Sequence, residues 1–372
     1  MRIAIPTEVK NNENRVGLTP AGVAELTAAG HEVFVQSGAG QASSITDEEY
    51  ATQGATLVDD PDELWGLGEL VLKVKEPVGE EYHRLREDLV LFTYLHLAAD
   101  RPLGDRLMEA GTTALAYETV QLDSGTLPLL YPMSEVAGCL APQVGAYHLM
   151  RPEGGRGVLM GGVGGVGNAR VLVIGGGVAG QHAANTALGM GADVTVLDTD
   201  LDKLRSIYWR HRNRIHQLAS SSFAIAEQVR HADLVIGAVL IPGARTPRLV
   251  SNELVAEMKP GSVLVDIAVD QGGCFADTRP TTHDKPTFQV HGSTFYCVAN
   301  MPAAVPNTST QALTNATLPY VLRLANLGWM DALHADPALA KGLNVARGQV
   351  THPGVAEAFG VELTEVADIL LD

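Results

Sequence analysis

The sequence predicts a two-domain α/β protein in which each domain is a mainly parallel sheet covered by helices. Three observations carry that expectation. Strand-like and helix-like segments alternate along the chain. A glycine-rich strand–turn–helix stands near the middle, at residues 171–189. The chain has 372 residues, more than twice a typical domain of roughly 150.

The first run opens with a short apolar strand at residues 2–6. Thr19-Pro20 then starts a helix over 20–29, because the threonine side chain can cap its first turn and proline suits its first position. Residues 31–36 read as a strand ending at Ser37-Gly38. Further strands are expected at 70–75, 89–94 and 113–117, with helical stretches at 46–53, 80–85 and 102–110, so that this run closes near residue 125. The second run begins with a strand at 170–174, a helix at 179–189, a strand at 193–197 and a helix at 202–212. Strands at 233–239, 262–267 and 294–298 complete it. Residues 128–150 read as a helix-bearing crossover, and 306–327 as a helix returning to the first domain. The expected division is a discontinuous domain from 1–127 and 306–372, with a second domain at 128–305 between its parts.

Composition narrows the function. Hydrophobic residues make up 46% and charged ones 19%, too apolar a mixture for disorder. A net charge of −17 argues against nucleic acid or an anionic membrane as partner, since both need a basic surface. The basic cluster Arg205, Arg210, Arg212 and Arg214 is one helix-length patch and does not reverse that balance. Cys139, Cys274 and Cys297 are too few and too scattered for a disulfide framework or a paired-cysteine metal site, which fits a reducing compartment. No secretion signal opens the chain, and no apolar run reaches about 18 residues. Cytoplasmic residence is the expectation.

The sharpest motif is Val171-Leu-Val-Ile174-Gly175-Gly176-Gly177-Val178-Ala179-Gly180. Gly175, Gly177 and Gly180 follow an apolar strand and open a small-residue helix, the arrangement that cradles a dinucleotide pyrophosphate in a Rossmann-like domain. The same spacing at Gly162, Gly164 and Gly167 precedes a strand rather than a helix, and is read as a flexible connector. Asp198, 23 positions after Gly175, ends the next apolar strand. An acid there accepts ribose hydroxyls and repels a 2′-phosphate, so NAD is the expected cofactor even with Lys203 and Arg205 close in sequence.

Ligands of open α/β sheets gather beyond the carboxyl ends of strands. Lys73 and Lys75, His96, Asp270 and the loop carrying Arg15 all fall at such ends. Hydride transfer from an amino or hydroxy acid needs that set: a cation for the carboxylate, a base near neutral pKa, and an acid to orient water or ammonia. Each residue also has an ordinary structural explanation. His96 lies between leucines, one or both lysines could be solvated at a strand edge, Arg15 sits beside Glu13, and Asp270 precedes a glycine pair. Glu118, Glu135, His148, His283 and His291 show no spacing that sets up a metal site, and no serine-nucleophile elbow is present.

Several long segments resemble bacterial L-alanine dehydrogenases: Ile5-Pro-Thr-Glu-Val-Lys-Asn-Asn-Glu-Asn-Arg15-Val-Gly-Leu-Thr-Pro20, Leu72-Lys-Val-Lys75-Glu-Pro77, and Phe92-Thr-Tyr-Leu-His96-Leu-Ala98. So do Met133-Ser-Glu-Val-Ala-Gly138, Leu264-Val-Asp-Ile-Ala-Val-Asp270-Gln-Gly-Gly273 and Asn300-Met-Pro302. The resemblance spans nearly the whole chain. It implies NAD-dependent oxidative deamination of L-alanine to pyruvate and ammonia, with reductive amination in reverse, at a site in the cleft between two Rossmann-like domains. It implies that Arg15 and Lys75 hold the substrate, and that His96 and Asp270 are catalytic. It further implies cofactor contacts at Ser134, Val178, Asp198, Lys203, Ser220, Val239, Leu240, Ile267, Asp270, Asn300 and Met301, and a homohexamer. Departures fall at 162–168 and in the last thirty or so residues. Rival readings are a transhydrogenase-type NAD-binding subunit, whose family lacks counterparts of Lys75 and His96, a saccharopine-type amino-acid dehydrogenase, and a silent NAD-binding regulator.

Overall fold

The computed structural model describes residues 1–239 and 246–371. By its internal contacts the chain divides into two compact units, one formed by Met1–Met133 with Val305–Asp372 and the other by Ser134–Ala304. The division falls within the helix Tyr131–His148, six residues beyond the 127/128 boundary read from the sequence, because the first turn of that helix packs with the first unit. Among the described residues no helix is long and apolar enough to cross a membrane.

In chain order the strands of the first stretch are β1 (Arg2–Ile5), β2 (Glu32–Gln36), β3 (Thr56–Val58), β4 (Leu70–Leu72), β5 (Val90–Thr93) and β6 (Thr113–Ala116). The second unit follows with β7 (Arg170–Ile174), β8 (Asp193–Asp198), β9 (His216–Ala219), β10 (Leu234–Gly237), β11 (Val263–Asp266), β12 (Thr287–Val290) and β13 (Ser293–Tyr296). The chain returns with β14 (Leu343–Ala346) and β15 (Gln349–Val350). The first sheet has the order β15-β14-β6-β5-β4-β1-β2-β3, and the second β12-β13-β11-β10-β7-β8-β9. Pairing is parallel except for β6–β14, β14–β15 and β12–β13.

The central strands are buried on both faces, so they read as continuous apolar runs rather than alternating ones. Ile3, Ala4 and Ile5 of β1 and all of β4, β5, β10 and β11 are buried. Helices start where the sequence supplies a cap. Thr19 accepts from the Gly22 amide with Pro20 behind it, Asp100 accepts from Leu103, and Asp200 accepts from Asp202 and Lys203. In the first unit Trp65, Val71, Leu91, Leu103, Leu107 and Val345 share a core with Val355 and Phe359 of the helix Pro353–Phe359. The second unit's core joins Leu172, Leu197, Val235, Leu264, Phe275 and Phe295. Each such apolar side chain contributes about 1.5–3 kcal/mol on burial.

Several elements depart from the sequence reading. The strand read at 70–75 stops at Leu72, and the chain bends through Val74 and Lys75. Residues Gly79–Arg84 form a 3₁₀ turn rather than an α-helix, closed when Glu81 accepts from the Val78 amide. The connector at 162–167 holds a small antiparallel bridge between Val163 and Val166, with Gly162 and Gly165 at positive φ.

Candidate active site

Both sheets change direction at one place. In the first sheet β1 runs out to β2 and β3 on one side and is followed on the other by β4, β5 and β6. Such a reversal leaves a crevice beyond the carboxyl ends of the strands. The loops leaving β1, β4 and β5 carry Arg15, Lys75 and His96, so three of the expected residues stand on the same edge of one sheet.

Arg15 is buried beneath the loop that carries it, and Glu13 is its partner. The guanidinium donates through Nε to Glu13 Oε1 at 2.7 Å and through Nη2 to Oε2 at 2.6 Å. Burial works against the charge, but Glu13 outweighs it and raises the pKa above the ordinary arginine value. Nη1 points to Met133 Sδ, 2.9 Å away. Glu13 thus fixes one edge of the fork, and Met133 Sδ meets Nη1.

The two lysines of the Lys73-Val74-Lys75 bend have separate fates. Lys73 is fully buried between Glu8 and Glu81, at 3.1 Å and 2.8 Å. Burial opposes its charge, and the two carboxylates more than offset this and raise its pKa. Glu8 also accepts from the Val74 amide at 2.5 Å, tying the first loop to the bend. Lys73 is therefore a buried tie between loops, and of the two lysines it is Lys75 that meets His96. Lys75 Nζ lies 3.3 Å from His96 Nε2.

His96 adopts a left-handed backbone, φ 48° and ψ 35°. Histidine tolerates this better than most side chains, yet it remains a strained state. The Glu118 carboxylate, beyond β6, holds it there: Oε1 accepts from the His96 amide at 2.6 Å, and both oxygens lie 3.2 Å from the Leu95 amide. The ring lies parallel to Tyr94, with centroids 6.0 Å apart. Removal from water lowers the imidazole pKa to about 4; Glu118 opposes this, and Lys75, Lys10 and Arg15 reinforce it. The residue keeps exposed surface, which argues for a smaller displacement than full burial gives, in the same direction. The ring is neutral at pH 7.

In the second unit the expected turn follows β7. Gly175 has φ +106°, and a Cβ on it would lie 2.7 Å from the Ala238 carbonyl oxygen. A Cβ on Gly180 would lie 1.7 Å from the Gly175 carbonyl oxygen, so the helix Val178–Gly189 packs against the turn only without one. Beside Gly177 the space is open, and Gly177, at the N-cap of that helix, has no side chain with which to cap its first amides. Uncapped amides facing open space at a helix N-terminus suit the pyrophosphate of a dinucleotide. Asp198, the last residue of β8, accepts from the Gly176 amide at 2.6 Å and the Asp200 amide at 2.8 Å. Lys203 Nζ stands 3.9 Å from it.

Several of the remaining expected cofactor residues follow the carboxyl ends of strands in the same sheet. Ser220 follows β9 and donates its amide to the Asp198 carbonyl, while Ile267 follows β11 and donates to the Gly237 carbonyl. Val239 follows β10, and its carbonyl accepts from Thr246. Asn300 and Met301 lie past β13, at the turn Met301–Ala304. Val178 is the first residue of the turn's helix, and Ser134 lies on the helix Tyr131–His148. Leu240 lies outside the described residues. Asp270 sits in the turn Val269–Gln271, a loop anchored by the fully buried Asp266, which accepts from the amides of Ala268 and Cys274 and from the Thr278 hydroxyl.

The model of the alanine dehydrogenase/PNT N-terminal domain matches residues 4–137, and that of the C-terminal domain matches residues 141–353. The chain belongs to the alanine dehydrogenase/PNT family. It is 61% identical to alanine dehydrogenase of Mycobacterium tuberculosis over the full length of both chains. It is 52% identical to alanine dehydrogenase of Bacillus subtilis, covering all of this chain and 98% of that one. A solved L-alanine dehydrogenase superposes with TM-score 0.94 at 50% identity, over 97% of this chain and 99% of the other. A transhydrogenase from Sinorhizobium meliloti superposes with TM-score 0.81 at 25% identity, over 95% of this chain and 99% of that one. Within this family member, five supporting groups escaped the sequence reading as site residues: Glu13 behind Arg15, Glu8 and Glu81 around Lys73, Glu118 behind His96, and Asp266 anchoring the loop of Asp270. Only Glu13 and Glu81 lie close in sequence to the cations they serve, two and eight positions away; Glu8, 65 positions from Lys73, Glu118, 22 from His96, and Asp266, which anchors a loop through amides, leave no such signal.

Proposed function

We infer that this chain catalyses the NAD-dependent oxidative deamination of L-alanine to pyruvate and ammonia, and the reverse amination. The observation that carries the reading is the contact of Lys75 with a neutral His96, beside a buried and oriented Arg15, in a chain 61% identical to an alanine dehydrogenase. The unit formed by both chain ends takes the substrate, and residues 128–305 of the sequence-based division take the cofactor.

Arg15 and Lys75 hold the carboxylate of alanine, Arg15 through the side of its guanidinium turned away from Glu13. When bound, NAD supplies the hydride acceptor, and the substrate is left as an iminium. His96 takes a proton from the water that adds to that carbon, and returns a proton as the carbinolamine collapses and ammonia leaves. Asp270 orients the water or ammonia and offsets the developing positive charge. The turn at Gly175, Gly177 and Gly180 and the first amides of the helix from Val178 hold the pyrophosphate, while Asp198 takes the ribose hydroxyls and disfavours a 2′-phosphate. Ser134, Lys203, Ser220, Val239, Leu240, Ile267, Asn300 and Met301 line the rest of the cofactor's course. On the family resemblance the working form is a cytoplasmic homohexamer, which light scattering of the purified protein tests.

The test of function follows NADH absorbance with a panel of L-amino acids, with NAD against NADP, and with pyruvate plus ammonium in reverse. Turnover of alanine with NAD supports the reading. Activity with lysine and 2-oxoglutarate replaces it with a saccharopine-type enzyme, and silence throughout replaces it with a regulator. The transhydrogenase-type reading has less behind it, given 25% identity against 50% in the two superpositions.

A further inference from the structure

We propose that Glu118 is a positioning residue of this reaction: by accepting the Leu95 and His96 amides, it holds the His96 imidazole against Lys75 and toward the substrate carbon. The inference rests on the functional reading above and deepens it.

Glu118 stands two residues past the end of β6, and His96 three past the end of β5, its parallel neighbour, with Thr93 opposite Ala116 in register. Its own place is rigid. The preceding residue, Tyr117, is fully buried, with its ring edge-on to Phe92 at 4.4 Å and to Tyr94 at 5.1 Å. Tyr94 is fixed in turn by donating its hydroxyl to the Leu129 carbonyl at 2.5 Å. A packed aromatic wedge therefore sets where the carboxylate lies, and the carboxylate sets the turn.

Two successive amides converging on one carboxylate form a small anion nest, closed by a residue in the left-handed region. That backbone state is strained in a non-glycine residue and persists only where its surroundings impose it. Without the nest the turn would relax toward ordinary φ, swinging the ring off Lys75. A displacement of about 1 Å at such a group costs about 100-fold in rate. Glu118 has a second, separable effect through its charge. The groups acting on His96 are Glu118, which favours the imidazolium, and Lys75, Lys10 and Arg15, which disfavour it, with Tyr94 parallel to the ring. Bonds to amides and a charge acting on a ring are removed by different substitutions.

The experiment compares E118Q, E118D and E118A in the full chain, reading kcat and KM for alanine, NADH affinity, and the His96 pKa from its NMR signal, assigned by its absence in H96N. In E118Q the side-chain oxygen, standing where Oε1 does, still accepts both backbone amides, the NH2 group replaces only the second acceptor of the Leu95 amide, and the charge is gone. Its kcat is expected within about threefold of the parent, with the His96 pKa lower by about half a unit or more. E118A, which loses the clamp, is expected to drop kcat about 10–100-fold, with alanine KM and NADH affinity within about threefold because Arg15, Lys75 and the glycine turn are untouched. E118D keeps the charge but withdraws it by one methylene, and is expected to lose rate without the pKa fall of E118Q. It replaces E118A should that variant not fold. Unchanged kcat in both E118A and E118D overturns the proposal, as does an E118Q loss matching E118A with the His96 pKa unmoved. A parent protein that fails to oxidise alanine overturns the functional reading itself, whereas an active parent with indifferent variants overturns this inference alone.

Discussion

At position 96 an imidazole stands between one carboxylate and three cations; removal from water lowers its pKa, the carboxylate opposes that, and the cations reinforce it. Lys75, at 3.3 Å, has the largest effect of the three cations. Replacing it with an uncharged residue of similar length should therefore raise the His96 pKa. In K75M the NMR titration midpoint of His96 is expected to move up toward the ordinary histidine value of about 6.5, and, on the proposed function, alanine KM to rise because one of the two cations assigned to the carboxylate is lost. A downward or absent shift contradicts the assigned charge balance. H96A should cut turnover by about 10²–10⁴-fold while leaving NADH binding near normal, the usual worth of a positioned acid–base group; stopped-flow turnover and fluorescence titration of NADH measure the two halves. These positions were legible because strand ends can be counted from the sequence and polar residues there stand out against apolar runs. The distinction between Lys73 and Lys75 was not legible. It depends on the strand stopping at Leu72 and on Glu8 and Glu81 closing around the first lysine, contacts made across 65 and 8 residues of chain.

The element that tolerates least change is the turn between β7 and the helix Val178–Gly189. G180A would drive a methyl group into the Gly175 carbonyl oxygen, 1.7 Å from the position it would take. The helix must then lift from the strand, and the first amides lose their aim. The expected result is loss of NADH binding by at least about tenfold, read by fluorescence titration, while the circular dichroism spectrum keeps its α/β character. Elements with strong apolar runs, such as β1, β7, β10 and β11, were legible because burial on both faces leaves little room for polar residues. The edges were not. Only the last residue of β3, Val58, is buried, and β9 carries no buried residue. β12 and the pair β14–β15 lack a run long enough to separate them from loop, whereas β13, fully buried, matches the strand read at 294–298.

For the whole molecule, the return of the chain after Val305 completes the first unit rather than decorating it. β14 pairs with β6, with Leu343 opposite Leu115, and Phe359 packs so tightly on the helix Arg101–Ala110 that a Cβ at Gly104 would lie 2.2 Å from its ring. A chain ending at residue 340 would expose the β6 edge and the core around Val345, Val355 and Phe359. Bare apolar edges of this kind pair with other chains, so the truncated protein is expected to aggregate on expression, with no cooperative thermal transition in the soluble fraction. A soluble, active truncation would show the return to be dispensable. The last thirty or so residues read as idiosyncratic in the sequence because their apolar residues are spaced for packing onto elements more than 200 positions earlier.

That same discontinuity imposes an order on biosynthesis. Every strand of the second sheet has been translated by Tyr296, whereas β6 waits for a partner that emerges only at Leu343. A ribosome therefore carries a nascent chain whose middle has all its strands while its beginning still presents an open edge, so that beginning depends on being kept from neighbouring polysome-bound copies until the last segments arrive.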